Sequence, residues 1–180
     1  MGAIASVQIH DRSDVYSSDW GAHMTTNPQP ALEDSIDITA PPTAVWSLVS
    51  DVRRMADWSP QVESTRLRNG AVEVAQGVEF TNLNTNGTFQ WMTHGTVMRF
   101  DTGREIAFRI EENWAVWSLH LEPSPDGGTR LTQRRESPDG SPEQTVQVID
   151  SYLGGQAAFT ESMRDGMRQT LQAIKVAAEK

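Results

Sequence analysis

The chain has 180 residues, no cysteine and a formal net charge of −9, with a sequence pI of about 4.8. That length suits one domain, or one domain with a tail, and a hydrophobic share of 37% supports a real core rather than wholesale disorder. Lack of cysteine excludes a disulfide framework, a thiolate nucleophile and Cys-ligated zinc or iron–sulfur clusters, while the acidic balance argues against nucleic acid as a partner. No apolar run approaches the roughly 18 residues of a membrane-spanning helix.

Residues 1–33 are expected to form a flexible tail, leaving one domain over 34–180. They hold few apolar residues, no repeating period and the breaker segment Asn27-Pro28-Gln29-Pro30. Asp11, Asp14, Asp19 and Glu33 face Arg12 as the single base. Met24 is an alternative start. The opening lacks the basic and apolar regions of a secretory signal, so a cytoplasmic protein is expected. Met1-Gly2-Ala3-Ile4-Ala5-Ser6 matches the short N-myristoylation pattern. No polybasic second signal follows it, so a tail without stable membrane association is the preferred reading.

Residues 35–39 alternate polar and apolar, as a strand with one buried face does. Pro41-Pro42 stops that strand and opens a helix, since proline tolerates the first helical turn; Val45, Trp46, Leu48 and Val49 fill one side of it. A second short helical piece follows Asp51 and ends by Ser59, which Pro60 forces into an extended conformation. Strands are then expected near 62–68, 77–84, 89–100, 104–113, 115–122 and 129–136. Asn69-Gly70, Asn86-Gly87 and Asp126-Gly127 supply turns, because both residue types tolerate positive φ. After residue 142 the period changes. Val146, Ile149 and Leu153 run at helical spacing, Gly154-Gly155 marks a break, and Phe159, Met163, Met167, Leu171, Ile174 and Ala178 form one stripe of a long amphipathic helix. The layout is an α+β protein: a seven-stranded antiparallel meander on a C-terminal helix, with two short helices after the first strand.

Several strings, in order, resemble the START/Bet v1-like superfamily, in particular its bacterial polyketide cyclase/dehydrase-like group, often called SRPBCC. They are Ile36-Asp37-Ile38-Thr39-Ala40-Pro41-Pro42-Thr43-Ala44-Val45-Trp46, then Asp57-Trp58-Ser59-Pro60, Phe80 with Asn84 and Gly87, and Trp91 with Thr93 and Val97. Ile106-Ala107-Phe108 follows, then Trp117-x-Leu119-x-Leu121-Glu122-Pro123 with Gly127-Gly128-Thr129-Arg130-Leu131-Thr132, and the ending Thr170-Leu171-Gln172-Ala173-Ile174-Lys175. The resemblance implies the helix-grip (Bet v1-like) fold, a curved sheet wrapped around the long helix with a hydrophobic cavity between them. It hands over no catalytic residue. Near Asn84 the family string usually carries Gly two residues earlier and a basic residue just before; this chain has Asn82 and Leu83 there.

Candidates for the cavity come from strand parity. An inward Phe80 brings Asn82 and Asn84 with it, although Asn82-Leu83-Asn84-Thr85-Asn86-Gly87 also reads as turn chemistry, the preferred reading. Strand 89–100 has apolar residues on both faces, so parity leaves open whether Trp91 and Thr93 or His94 points inward. An inward His94 is a candidate general acid or base, set against a structural role that is preferred. Leu131 inward also brings Gln133 and Arg135, and a buried Arg135 needs an acidic partner or an anionic ligand group. His120 is expected outside, His10 and His23 lie in the tail, and the histidines lack metal-ligand spacing, so neither metal nor cofactor is expected. Trp46 reads as structural, Trp58 as a plug at the helix–strand junction, and Trp91 and Trp117 as surfaces for flat ligands.

The expected ligand-binding set is Trp58, Phe80, Asn82, Asn84, Trp91, Thr93, Phe108, Trp117, Leu119, Gln133, Phe159, Met163 and Met167. The catalytic candidates are His94, Asn84 and Arg135. The preferred function is binding of a hydrophobic small molecule such as a lipid, polyketide or isoprenoid. A polyketide cyclase, aromatase or dehydratase acting through a weak acid or base is the alternative, and a protein-interaction module of the same fold the third. Either monomer or homodimer is compatible with the sequence.

Overall fold

The computed structural model describes residues 29–86 and 89–180. The N-terminal features, Met24 and the Gly2 pattern included, lie outside the described residues, as does Gly87 of the Asn86-Gly87 turn. Seven strands, β1 (Gln29–Ile38), β2 (Val62–Leu67), β3 (Glu79–Asn86), β4 (Phe89–Asp101), β5 (Glu105–Ile110), β6 (Val116–Pro123) and β7 (Thr129–Ser137), form one antiparallel sheet. Its order is β1-β7-β6-β5-β4-β3-β2: a meander from β2 to β7, with β1 returned to the far edge. This is the expected helix-grip layout.

The connections follow local chemistry. Pro41 is extended and Pro42 opens α1 (Pro42–Val49). Asp51 caps a 3-10 helix (Val52–Asp57) by accepting the Arg53 N–H at 3.0 Å. Asn69 and Gly70 both take positive φ, 55° and 73°, at the turn after β2. α2 (Glu143–Tyr152) and α3 (Gly155–Ala178) are separated at Gly154 and Gly155, which take φ of 78° and 85°; the left-handed region that glycine enters without steric cost makes the break.

One expectation about the strands needs correction, and one ambiguity has a structural cause. β1 begins at Gln29, so residues 29–33, assigned to the tail, belong to the sheet: Leu32 lies opposite Arg135 and is buried. The alternation was hidden by an irregularity between Gln29 and Leu32 and by Pro30. Proline is tolerated there because β1 is an edge strand. β4 is likewise interrupted, by a bulge between Val97 and Arg99. Thr93, Gly95 and Val97 face inward before it. Beyond it Phe100 lies opposite buried Ile106 and meets the Trp46 ring at 5.2 Å. One bulge therefore puts apolar residues of both parities on the same face.

The main core lies where the C-terminal half of α3 meets the sheet. Ile38, Val45, Phe80, Val97, Ile106, Leu121, Leu131, Leu171 and Ile174 are nearly or completely inaccessible to solvent. A smaller cluster of Leu32, Met163 and Met167, with Trp117 and Phe159 against it, sits toward the start of α3.

Candidate functional site

Between these clusters the sheet and α3 do not close on each other. A cavity of about 470 Å³ lies there, bordered by the sheet, by α3 residues from Phe159 to Thr170, by α2 and by the segment after the 3-10 helix. Its size falls in the usual range for small-molecule sites. Methionine and aromatic side chains make most of the α3 wall, and such groups leave adaptable space where Leu and Ile would interdigitate.

The structure brings most of the expected lining residues to this one space. Asn82 and Asn84 of β3, Trp91 and Thr93 of β4, Phe108 of β5, and Trp117 and Leu119 of β6 all border it. So do Gln133 and Arg135 of β7, Trp58 from the junction, and Phe159, Met163 and Met167 of α3. Asn82 and Asn84 are not turn residues, because β3 extends to Asn86 and holds both inward, buried. Their amides are used inside the sheet. Thr65 Oγ1 donates to Asn82 Oδ1 at 2.7 Å, and Asn84 Nδ2 donates to Thr93 Oγ1 at 3.0 Å.

Two candidates do not reach the cavity. Phe80 lies beneath it, completely buried, with its ring edge-to-face against Phe108 at 5.4 Å. A Cβ at Gly95 would sit 2.3 Å from Phe80 Cζ, so the absence of a side chain at Gly95 is what admits the ring. His94 points to the opposite face of β4, the face on which Met92 and Met98 are exposed. There its Nδ1 lies 2.6 Å from Glu112 Oε1, and its backbone N–H donates to the same carboxylate. His94 does not border the cavity, although Met92 on the same side of β4 and the His94 partner Glu112 do, so its ring is not placed as a cavity acid or base.

Sequence reasoning missed Met55, Gln61 and Glu112, and the α2 residues Thr145 and Val148, all at the cavity wall. Met55 lies in a single short 3-10 helix and Gln61 and Glu112 in loops, none of which carries a period to find them by. α2 showed an apolar period, but not that Thr145 Oγ1 would donate to the Glu112 carbonyl at 2.8 Å and tie α2 to the β5–β6 loop.

Of the two charged residues at the wall, Glu112 and Arg135, the buried one is Arg135. It is 9% exposed, the one charged side chain that is buried among the described residues. Its guanidinium lies 5.8 Å from the ring centres of both Trp117 and Phe159. Burial alone pulls its pKa below the ordinary arginine value. Two residues earlier on the same face, Gln133 Oε1 is buried without a hydrogen-bond partner. Among the described residues no group of three or more His, Asp or Glu is placed to hold a metal ion, and no helix is long and apolar enough to cross a membrane.

Residues 29–179 match the model of a family described as polyketide cyclase/dehydrase and lipid transport. No curated protein matches the sequence. Among solved structures, a polyketide-cyclase-like protein of Corynebacterium glutamicum is 28% identical, with a TM-score of 0.54, the match covering 81% of this chain and 88% of that one. The KanY protein has a TM-score of 0.62 at 15% identity, covering 84% of this chain and 99% of its own. StfQ, a di-domain aromatase/cyclase of the steffimycin biosynthetic pathway, has a TM-score of 0.61 at 11% identity, covering 83% of this chain and 49% of StfQ. The last two are similar in fold alone.

Proposed function

Since the chain belongs to the polyketide cyclase/dehydrase and lipid transport family, we propose that it binds a hydrophobic small molecule in the cavity between the sheet and α3. The observation that carries this reading is the cavity itself: about 470 Å³, walled mainly by aromatic, Met and aliphatic side chains, with a few polar groups at defined places. Such a space shelters an apolar body, and the polar groups fix its orientation. Trp58, Trp91, Phe108, Trp117 and Phe159 favour a flat, unsaturated body over a saturated one.

Carriage is preferred over turnover. His94, the candidate acid or base, does not border the cavity, and Asn84 gives its amide hydrogens to Thr93 and the Trp91 carbonyl. The protein-interaction reading expects a filled interior, and the cavity counts against it. Mass spectrometry of the purified protein, first native and then denatured, tests the proposal. A discrete co-purifying small molecule is expected. A protein that carries nothing and also binds no member of a lipid and polyketide panel would sink it.

A further inference from the structure

Arg135 stands apart from the other arginines. Apart from exposed Arg66, every other described arginine has a carboxylate oxygen within 4.0 Å. Those pairs are at the surface, where water would serve nearly as well. The buried arginine, which needs an anion most, takes part in none of the ion pairs among the described residues. Its hydrogen bond runs from Nη1 to the neutral Ser137 Oγ, at 3.4 Å. On β1 the adjacent carboxylate, Glu33, lies opposite Arg134 and pairs with it, and the next, Asp34, lies opposite Gln133 and accepts the Ser35 N–H with its Oδ1. Two aromatic faces give partial compensation. They cannot replace the bidentate acceptor that a guanidinium fork fits.

A buried cation with no carboxylate partner among the described residues and a buried acceptor with no donor therefore lie two residues apart on β7, both at the cavity wall. A buried polar group lacking its partner is costly. One ligand end satisfies both: an anion for Arg135 and an O–H or N–H donor for Gln133 Oε1. We propose that Arg135 and Gln133 anchor the head group of an aromatic or polyene hydroxycarboxylate, its carboxylate on the guanidinium and its hydroxyl donating to Gln133. The flat body then runs from Trp117 and Phe159 into the cavity. This rests on the cavity being a ligand site, and it selects the acids among hydrophobic ligands.

The test is displacement of Nile red, an uncharged apolar dye, by naphthalenes of one skeleton: a hydroxynaphthoate, the naphthoate without the hydroxyl, and the methyl ester of each. The acids are expected to displace the dye at roughly tenfold lower concentration than their esters, the scale of one hydrogen-bonded charge pair. That gap collapses in Arg135→Met and is partly kept in Arg135→Lys. Gln133→Leu removes the advantage of hydroxynaphthoate over naphthoate. Melting of Arg135→Met is expected at or above the wild-type temperature, because an uncompensated buried charge has gone. Acid and ester displacing the dye equally from the wild type would overturn the anchor and leave the cavity a ligand site. Failure of Nile red and of every naphthalene to bind, the latter by calorimetry, would remove both.

Discussion

The two ends of α3 meet the same sheet and do different things with it. Toward the C-terminus, Leu171 and Ile174 share one buried cluster with Ile38, Val45, Val97, Leu121 and Leu131, and the space is closed. That end is also fastened: Lys175 Nζ donates to the Asp37 carbonyl at 2.5 Å, and Glu179 Oε1 accepts the Thr39 N–H at 2.8 Å. Toward the N-terminus the stripe continues in Phe159, Met163 and Met167, facing Trp117, Gln133 and Arg135, and a cavity remains. A helix at constant period thus builds a dry core at one end and a vessel at the other. What changes is side-chain shape and polarity, not secondary structure.

The sharpest way to break this contrast is truncation at each end. Ile174→Ala and Leu131→Ala should each cost about 2–5 kcal/mol in denaturant unfolding, the range for an aliphatic side chain removed from a closed core. Met163→Ala should cost clearly less, because part of its surface already faces empty space. Equal losses at both ends would show the cavity to be filled in solution. Next in size is Gly95→Ala. Its Cβ would meet Phe80 Cζ at 2.3 Å, and the forced shift of a core ring should cost roughly 1–3 kcal/mol; unchanged stability would mean that Phe80 is not held against β4.

Smaller effects come from the rim. Asp51→Ala removes the cap of the 3-10 helix that leads to Trp58 and should cost about 1 kcal/mol at neutral pH. The Asp51 carboxyl is held below its ordinary value first by the Arg53 side chain and then by the Arg53 N–H, against opposing desolvation. Its contribution is thus fully present above the unfolded-state pKa of about 4 and lost as pH falls through the lower folded value. The melting-temperature gap between wild type and Asp51→Ala should therefore narrow in acid; a gap that widens there would contradict the assignment. Smallest is Gly166→Ala, at the cavity wall in mid-α3. A Cβ there has Pro60 Cγ at 3.9 Å as its nearest neighbour, so helix propensity decides and a gain of about 0.5–1 kcal/mol is expected in unfolding.

Much of this contrast could be read from residue periods. The two-residue alternation of β3 placed Phe80, Asn82 and Asn84 on one face, and that of β7 did the same for Leu131, Gln133 and Arg135. Where alternation is unbroken, local stereochemistry suffices. Residue type, not alternation, misled over Asn82 and Asn84 by suggesting a turn, because the partners that satisfy them, Thr65 and Thr93, lie on other strands. Alternation was silent on β4, whose bulge depends on pairing with β5. The start of β1 was lost to Pro30, which only an edge position makes acceptable.

By itself, then, the sequence determined the order of strands and helices, the break at Gly154-Gly155, the stripe of α3 and the side chains that unbroken strands turn inward. These are set by backbone stereochemistry over a few residues. Tertiary structure alone decided that Phe80 fills space while Trp117 borders it, that His94 does not border the cavity, and that Arg135 is buried with no carboxylate paired to it among the described residues. Each of these depends on distances between residues far apart in the chain, and volume and charge balance exist only once those residues are brought together.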